Sequence, residues 1–186
     1  MGKLVYSMSL SLDGYVETLD HSLAWANVDE EIHCWYNERS RNADAFLYGR
    51  QLYTVMSAYW PTAERDPDAT DYVLEFAQIW NSKPKIVFST TLTEVQPGCR
   101  LVRGDVAVEL AKLRKEFAGE LWVGGPTLAA QFITRGLVDE YRLVVHPVML
   151  GEGTSFFPRL RRPLDLRLIE RQEFASGALY LGYVPA

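Results

Sequence analysis

The chain has 186 residues, of which 48% are hydrophobic and 23% are charged, and its formal net charge is −5. This composition is typical of a globular protein with one complete hydrophobic core, so we predict a single domain over residues 1–186. The acidic balance argues against binding to nucleic acid or to an anionic membrane, because both need a basic face. No signal-peptide pattern opens the chain, and no apolar stretch approaches the roughly 18 residues of a membrane span, so we expect a cytoplasmic protein.

Cysteine and histidine are scattered along the chain. Cys34 lies in a helical pattern and Cys99 in a Pro-Gly turn, while His21, His33 and His146 are far apart. Neither residue type shows the spacing of a disulfide framework or of a metal site. We therefore predict no metal in the functional site.

Strand and helix patterns alternate over the first three quarters of the chain. Strands are indicated where apolar residues alternate or form short runs, and helices where they recur every three or four residues. One predicted helix is capped by Asn27 or Asp29 and runs to about Ala43, and another begins after Asp105 and ends near Phe117. The other predicted elements are strands at 3–12, 45–48, 85–88, 101–102 and 121–124, and helices at 50–56, 68–80 and between Gly125 and Gly136.

Beyond residue 138 the pattern indicates strands alone. They are predicted at 141–145, 164–173 and 178–184, with a turn at Ser176-Gly177 between the last two. Alternating strands and helices imply right-handed parallel crossovers, whereas a tail without helices implies an antiparallel edge. The sequence therefore predicts an α/β fold of three layers, in which helices cover both faces of a mixed, mostly parallel sheet.

Residue types suited to phosphate binding follow three of the predicted parallel strands. The carboxyl ends of parallel strands meet at one edge of a sheet, so we expect these segments to lie together. Helix N-termini, guanidinium groups and hydroxyls all bind phosphate. Each segment alone has a structural alternative, such as a tight turn or an exposed arginine, but their combination indicates a phosphate-containing ligand. The segments are Gly49-Arg50, Ser89-Thr90 and Gly124-Gly125.

Five motifs, in their order and spacing along the chain, resemble a known family. They are Ser11-Leu12-Asp13-Gly14-Tyr15-Val16, the segment 43–50 followed by Tyr53, Tyr59-Trp60-Pro61, Leu121-Trp122-Val123-Gly124-Gly125, and residues 137–153 from Leu137-Val138-Asp139-Glu140 to Gly153. They are similar to the dihydrofolate reductase-like superfamily, in particular the branch that contains the bacterial riboflavin-biosynthesis reductase domain. The resemblance implies a central sheet of about eight strands and an NADPH-dependent reductase, with the dinucleotide across the carboxyl edge.

The resemblance also implies roles for individual residues around NADPH. Arg50 would lie near the 2′-phosphate, and Arg103 is a second candidate for that group. The adenosine half would be held by Gly49 and Arg50, further hydroxyls would come from Ser89 and Thr90, and the pyrophosphate would rest on Gly124, Gly125 and Thr127.

A reductase of this kind must also supply a proton to the atom beside the reduced carbon. The cofactor carries the hydride chemistry, and the protein contributes orientation and exclusion of water. Candidate catalytic groups are Asp13, in the turn after the first strand, and Glu31 or His33, near the start of the first helix. Asp13 has the alternative of ordering its loop through an Asx-type turn. Asp29 and Glu30 are better suited to stabilising the helix N-terminus.

Trp25, Tyr53 and Met56 are the predicted walls for a ring substrate, with the hydrophobic core as their alternative location. A small heteroaromatic such as a pterin or a pyrimidine is the expected substrate class. The riboflavin reductase domain itself reduces a ribosylamino-pyrimidine. The resemblance further implies a homodimer formed through the C-terminal strands and the loop at 147–157. Two alternatives stay open: a binding module of the same fold without turnover, and an enzyme that holds a flavin.

Overall fold

The computed structural model describes residues 2–186. In chain order the strands are β1 (Lys3–Ser11), β2 (Tyr15–Glu17), β3 (Ala43–Gly49), β4 (Lys85–Phe88), β5 (Cys99–Val102), β6 (Glu120–Gly124), β7 (Glu140–His146), β8 (Thr154–Ser155), β9 (Leu166–Glu173) and β10 (Leu179–Pro185). The α-helices are α1 (Glu30–Ser40), α2 (Arg50–Tyr59), α3 (Asp71–Ser82), α4 (Val106–Glu116) and α5 (Pro126–Ile133), and a 3-10 helix covers Trp60–Arg65.

Eight of the strands form one mixed sheet in the order β5-β4-β3-β6-β1-β7-β10-β9. The pairs from β5 to β7 are parallel, and β10 is antiparallel to both β7 and β9. Helices α4 and α5 pack on one face of this sheet, while α1, α2 and α3 pack on the other. The predicted three-layer architecture with an antiparallel C-terminal edge is confirmed.

The first helix begins where one of the two predicted caps lies and ends earlier than predicted. The carboxylate of Asp29 accepts a hydrogen bond from the backbone N–H of Ile32 at 3.0 Å, which is the geometry of an N-cap. Ala43 was predicted to lie on this helix, but it is fully buried as the first residue of β3. The prediction for Ala43 was wrong because its burial serves the sheet, while Arg41 and Asn42 make the turn between the two elements.

A two-stranded sheet of β2 and β8 was not predicted. It pairs Tyr15 with Ser155 and Glu17 with Thr154, and each strand is too short for its periodicity to be recognised. The chain passes so close here that a Cβ on Gly153 would come within 2.1 Å of the carbonyl oxygen of Glu17. Only glycine is compatible with this approach, so the small sheet fixes the loop after β1 against the loop after β7.

Two kinds of feature are absent from the described residues. Within residues 2–186, no helix is long and apolar enough to cross a membrane. The same residues contain no cluster of three or more His, Cys, Asp or Glu side chains arranged to hold a metal ion.

Candidate functional site

Two adjoining cavities lie at the carboxyl edge of the parallel strands. The first, of about 330 Å³, is walled by rings that include Trp25, Trp60 and Phe76, and we call it the aromatic cavity. The second, of about 260 Å³, is bordered by Gly49 and Gly125, and we call it the glycine cleft. Both cavities share the side chains of Met8, Val16, Leu23 and Leu52. The two cavities therefore border one another at these four side chains.

The glycine cleft is formed around the N-termini of two helices. Gly49 precedes α2 and Gly125 precedes α5, and within the described chain neither helix has a side-chain cap. The backbone N–H groups in the first turn of α2, and those that follow Pro126 in the first turn of α5, are therefore available to an anion, and the helix dipoles favour one. Arg50 and Thr127 also line this cleft, and Arg50 is exposed. These donors fit the phosphate groups of a dinucleotide.

The turn between β6 and α5 needs its two glycines for different reasons. Gly125 has a φ of +89°, which L side chains rarely adopt, and its N–H donates to the Sδ of Met8 at 3.2 Å. A Cβ on Gly124 would lie 2.6 Å from Cδ2 of Leu52. Met8 and Leu52 both lie where the two cavities meet, so this turn shapes the junction as well as the cleft.

Ser89, Thr90 and Arg103 follow β4 and β5 but do not line either cavity. The hydroxyl of Ser89 accepts hydrogen bonds from the backbone N–H groups of Thr91 and Leu92 at 3.2 and 3.0 Å. The Arg103 guanidinium donates to the carbonyl oxygen of Leu92 at 2.6 Å. These contacts order the loop after β4. They favour the structural alternative for Ser89 and Arg103 over the predicted contact with a phosphate.

Three polar atoms that border the aromatic cavity are buried without a hydrogen-bond partner in residues 2–186. They are Oγ of Ser7, Nε1 of Trp25 and Nδ1 of His33. A buried polar atom without a partner costs about 1–3 kcal/mol, and such atoms are rare in folded proteins. Their convergence on one cavity indicates a place where polar atoms of a ligand complete the hydrogen bonding.

Of the two candidates on α1, the structure brings one into the cavity and turns the other away. His33 lines the aromatic cavity beside the rings of Trp60, Tyr72 and Phe76, and burial lowers the pKa of its imidazole. Glu31 is exposed, and its carboxylate accepts a hydrogen bond from the backbone N–H of Ala175 at 2.8 Å. His33 is therefore the predicted catalytic residue that the geometry retains.

Asp13 lies outside the lining of both cavities. Its carboxylate accepts hydrogen bonds from Oγ of Ser11 at 2.6 Å and from the N–H groups of Leu150 and Gly151 at 3.1 and 2.7 Å. The bond from Ser11, together with these amides, lowers the pKa of the Asp13 carboxyl, so it stays ionised. These contacts tie the loop after β1 to the loop after β7 and favour the structural role considered for Asp13.

The three predicted substrate walls separate into two groups. Trp25 and Met56 line the aromatic cavity. Tyr53 lies in the core, 5% exposed, with its hydroxyl accepting a hydrogen bond from the backbone N–H of Gln96 at 2.8 Å. The placement of Tyr53 in the substrate site was wrong because α2 presents Leu52 and Met56, about one turn apart, to the cavity and directs Tyr53 into the core.

Sequence reasoning missed a hydrogen-bonded chain at the wall of the aromatic cavity. The Tyr36 hydroxyl lies 3.2 Å from Oγ of Ser9, which lies 3.1 Å from Nε2 of the buried His146. Burial raises the pKa of Tyr36 and lowers that of His146, so both are neutral near pH 7. The one sequence signal is the pair of serines at alternate positions of β1, Ser7 and Ser9, which share one face of the strand.

The eight-stranded mixed sheet, with its antiparallel C-terminal edge and helices on both faces, is a dihydrofolate reductase-like fold. Residues 2–180 match the family described as the RibD C-terminal domain, and the chain belongs to this family.

Individual proteins resemble the chain over nearly its whole length. It is 31% identical over 182 residues to the uncharacterised protein YyaP of Bacillus subtilis, covering 97% of this chain and 94% of YyaP. A putative riboflavin biosynthesis protein from Shewanella sp. PV-4 is 25% identical with a TM-score of 0.74, covering 100% of this chain and 99% of that one. Dihydrofolate reductase from Enterococcus faecalis, solved with NADP(H), is 15% identical with a TM-score of 0.67, covering 99% and 96%.

Proposed function

We propose that this protein is an NADPH-dependent reductase that transfers a hydride to a small heteroaromatic ring of the pterin or pyrimidine type. The observation that carries this proposal is the junction of the glycine cleft and the aromatic cavity at four shared side chains. A dinucleotide and a flat ring in these two sites would be in contact, which is what hydride transfer requires. Membership of the RibD C-terminal domain family supports the reductase class.

The residues of the glycine cleft fit the anionic part of NADPH. Gly49 and Gly125 leave the N-termini of α2 and α5 open to phosphate, and Thr127 adds a hydroxyl. Arg50 is the cationic side chain of this lining, so we assign it to the 2′-phosphate that distinguishes NADPH from NADH. When bound, the nicotinamide supplies the hydride.

The aromatic cavity would hold the ring substrate and keep water out. Trp25, Met56 and Trp60 present flat or apolar surface to it, while Ser7 and Trp25 offer unpaired polar atoms. His33 is the group that would hold a proton next to the ring, because its Nδ1 is at the cavity without a hydrogen-bond partner and burial lowers the pKa of its imidazole.

One observation favours a second candidate function. Among the described residues that line the aromatic cavity there is no aspartate or glutamate, so neither of the two carboxylates that were candidates for the proton donor, Asp13 and Glu31, borders it. A binding module that holds a nucleotide or a pterin without turnover is compatible with this lining. Turnover of pterins and quinonoid dihydropterins with NADPH, followed at the nicotinamide absorbance, separates the two functions.

Replacing Arg50 by alanine is expected to weaken NADPH binding about tenfold, corresponding to roughly 1.4 kcal/mol, and to leave NADH binding nearly unchanged. Titration calorimetry with both dinucleotides measures the ratio. Arg103→Ala is the matched control, because Arg103 is an exposed arginine near the same edge of the sheet that does not line the cleft. An unchanged preference for NADPH in Arg50→Ala would contradict the assignment of Arg50 to the 2′-phosphate. The absence of any NADPH binding to the wild type would contradict the proposed cofactor.

We also propose a homodimer formed through the antiparallel edge of the sheet. β9 is the last strand of that edge, and it exposes Leu168 and Ile169, while Leu179 is exposed on the neighbouring β10. An edge strand with free backbone groups and apolar side chains pairs readily with a second copy. Light scattering after size exclusion should give about twice the 21.2 kDa of one chain, and Ile169→Lys should lower that mass. A wild-type mass of a single chain would contradict the dimer.

A further inference from the structure

The aromatic cavity contains no group that could neutralise a charged ligand. In the described part of the chain, no lysine, arginine, aspartate or glutamate lines it, and the one imidazole, that of His33, is kept neutral by burial. The other polar groups of the lining are serine and tyrosine hydroxyls and the indole N–H groups of tryptophan. An anion moved into such a place loses its hydration without gaining a counter-charge, which is strongly unfavourable.

A cation does lie behind the cavity wall, but it is already neutralised. The guanidinium of Arg142 is 5.3 Å from the ring centroid of Trp122, which lines the cavity. Arg142 donates to Glu120 at 2.6 and 2.9 Å and also bonds Glu140. Lys3 pairs with the same two carboxylates, so two cations and two anions balance, and this cluster leaves no net positive charge for a ligand.

The residues at the rim of the cavity also disfavour anionic ligands. Val28 lines the cavity and is 39% exposed, and the three residues that follow it are Asp29, Glu30 and Glu31. The chain next to this rim therefore carries acidic side chains, although Glu31 faces Ala175 rather than the cavity, and their charge disfavours the approach of phosphate or carboxylate groups.

The neutral polar atoms of the lining indicate what the cavity accepts instead. Nε1 of Trp25 is a donor only, Oγ of Ser7 both donates and accepts, and Nδ1 of His33 does either, according to its tautomer. These three atoms match the ring nitrogens and exocyclic oxygen or amino groups of a flat heteroaromatic molecule.

We infer that the substrate of this site is an uncharged heteroaromatic ring with hydrogen-bonding atoms on its edge and no phosphate or carboxylate group in the cavity. This inference rests on the proposed function and narrows it. It sets this site apart from one in which a phosphorylated ribose enters the cavity, because the lining has no partner for that phosphate.

The test compares two ligands that share one ring. Binding of 6-hydroxymethylpterin and of its phosphate monoester to the full chain is measured by titration calorimetry at an ionic strength of about 0.15 M, where long-range charge effects are screened. We expect the uncharged pterin to bind at least about tenfold more tightly than the ester. Equal or tighter binding of the ester would overturn the inference, and so would failure of both ligands to bind at millimolar concentration.

A charge placed at the rim provides the matched variant. Val28→Lys adds a cation where the cavity opens and should reduce the preference for the uncharged pterin about threefold. Val108→Lys makes the same change on the exposed face of α4, outside both cavities, and should leave the preference as in the wild type. An unchanged preference in Val28→Lys would overturn the inference, because charge would then not be what excludes the ester.

Binding of NADPH to the same samples distinguishes this inference from the proposed function. If the pterin binds with the expected preference and NADPH does not bind, the reductase proposal fails while the ligand class stands. If NADPH binds and the phosphate ester is preferred over the pterin, the ligand class fails while the reductase proposal stands.

Discussion

Replacing Arg142 by alanine is expected to lower the free energy of unfolding by about 3–5 kcal/mol, as is typical when one partner of a buried ionic cluster is removed. Arg142 lies on β7 with a side chain that is 6% exposed. Its guanidinium donates to both carboxylate oxygens of Glu120, at 2.6 and 2.9 Å, and to Glu140. Removing it leaves two carboxylates facing each other in the interior, with only Lys3 beside them.

The loss should depend on pH in a defined direction. Burial acts to raise the pKa of Glu120, but hydrogen bonds from Arg142 and Trp122 outweigh it and hold the pKa below its ordinary value. In the wild type this stabilisation is complete above the ordinary glutamate pKa and is lost as the pH falls through the lowered one. In Arg142→Ala, protonation of Glu120 and Glu140 removes the repulsion between the two carboxylates that the guanidinium no longer pairs, so the folded state of this variant becomes more stable as the pH falls. The difference between the two proteins should therefore shrink from pH 7 to pH 4.

Urea denaturation of the two proteins at both pH values measures this difference. The control is Arg100→Ala, because Arg100 forms a similar two-pronged pair with Glu116, at 2.8 and 2.9 Å, but on the surface. Exposed pairs contribute at most about 1 kcal/mol, so this variant should be nearly as stable as the wild type. Equal losses in the two variants would show that burial of the Arg142 cluster does not set its contribution.

The order of strands and helices could be predicted because each long element carries its own periodicity. The pattern of α4, with Asp105 as its cap, predicted that helix to within a residue at each end. β2 and β8 were missed because three and two residues carry no period, and because their pairing depends on Gly153 at a distance along the chain. Local patterns therefore predict the layers but not the loops that close over the site.

The site was less predictable, since it depends on which way each side chain faces. Glu31 and His33 are two residues apart, about 200° around the helix, so only one of them could face the cavity, and the sequence did not distinguish them. The glycines of the glycine cleft were easier to place from the sequence, because a turn between a strand and a helix lies at the edge of the sheet by topology alone. Tyr36, Ser9 and His146 meet from positions 27 and 137 residues apart, which no local pattern encodes.

Replacing His33 by phenylalanine is expected to reduce kcat at least about 100-fold, the usual lower bound for loss of a positioned proton donor. The same change should leave the stability close to that of the wild type, because the polar interaction it removes, with Asn37, does not have the geometry of a regular hydrogen bond, and the surroundings include Trp60, Tyr72 and Phe76. Activity and stability would thus change independently, which a merely structural residue would not allow.

The pH dependence of the two proteins provides the second readout. Burial lowers the pKa of His33, so the native state resists protonation. The wild type should lose stability as the pH falls below about 6.5, the ordinary histidine pKa, because the unfolded chain then binds more protons. If the imidazolium donates the proton, the initial rate of NADPH-dependent reduction should increase over the same range, and the rate of His33→Phe should not.

Glu31→Gln is the control on the same helix, because Gln keeps an oxygen to accept the hydrogen bond from Ala175 and the side chain lies outside the cavity. Its rate with quinonoid dihydropterins should equal that of the wild type. A 100-fold loss of rate in Glu31→Gln would identify the carboxylate as the proton donor instead. If His33→Phe lowered the melting temperature together with the rate, the role of His33 would be structural. If only His33→Phe loses its rate and the increase of that rate at low pH, the imidazole of His33 is the proton donor of this site.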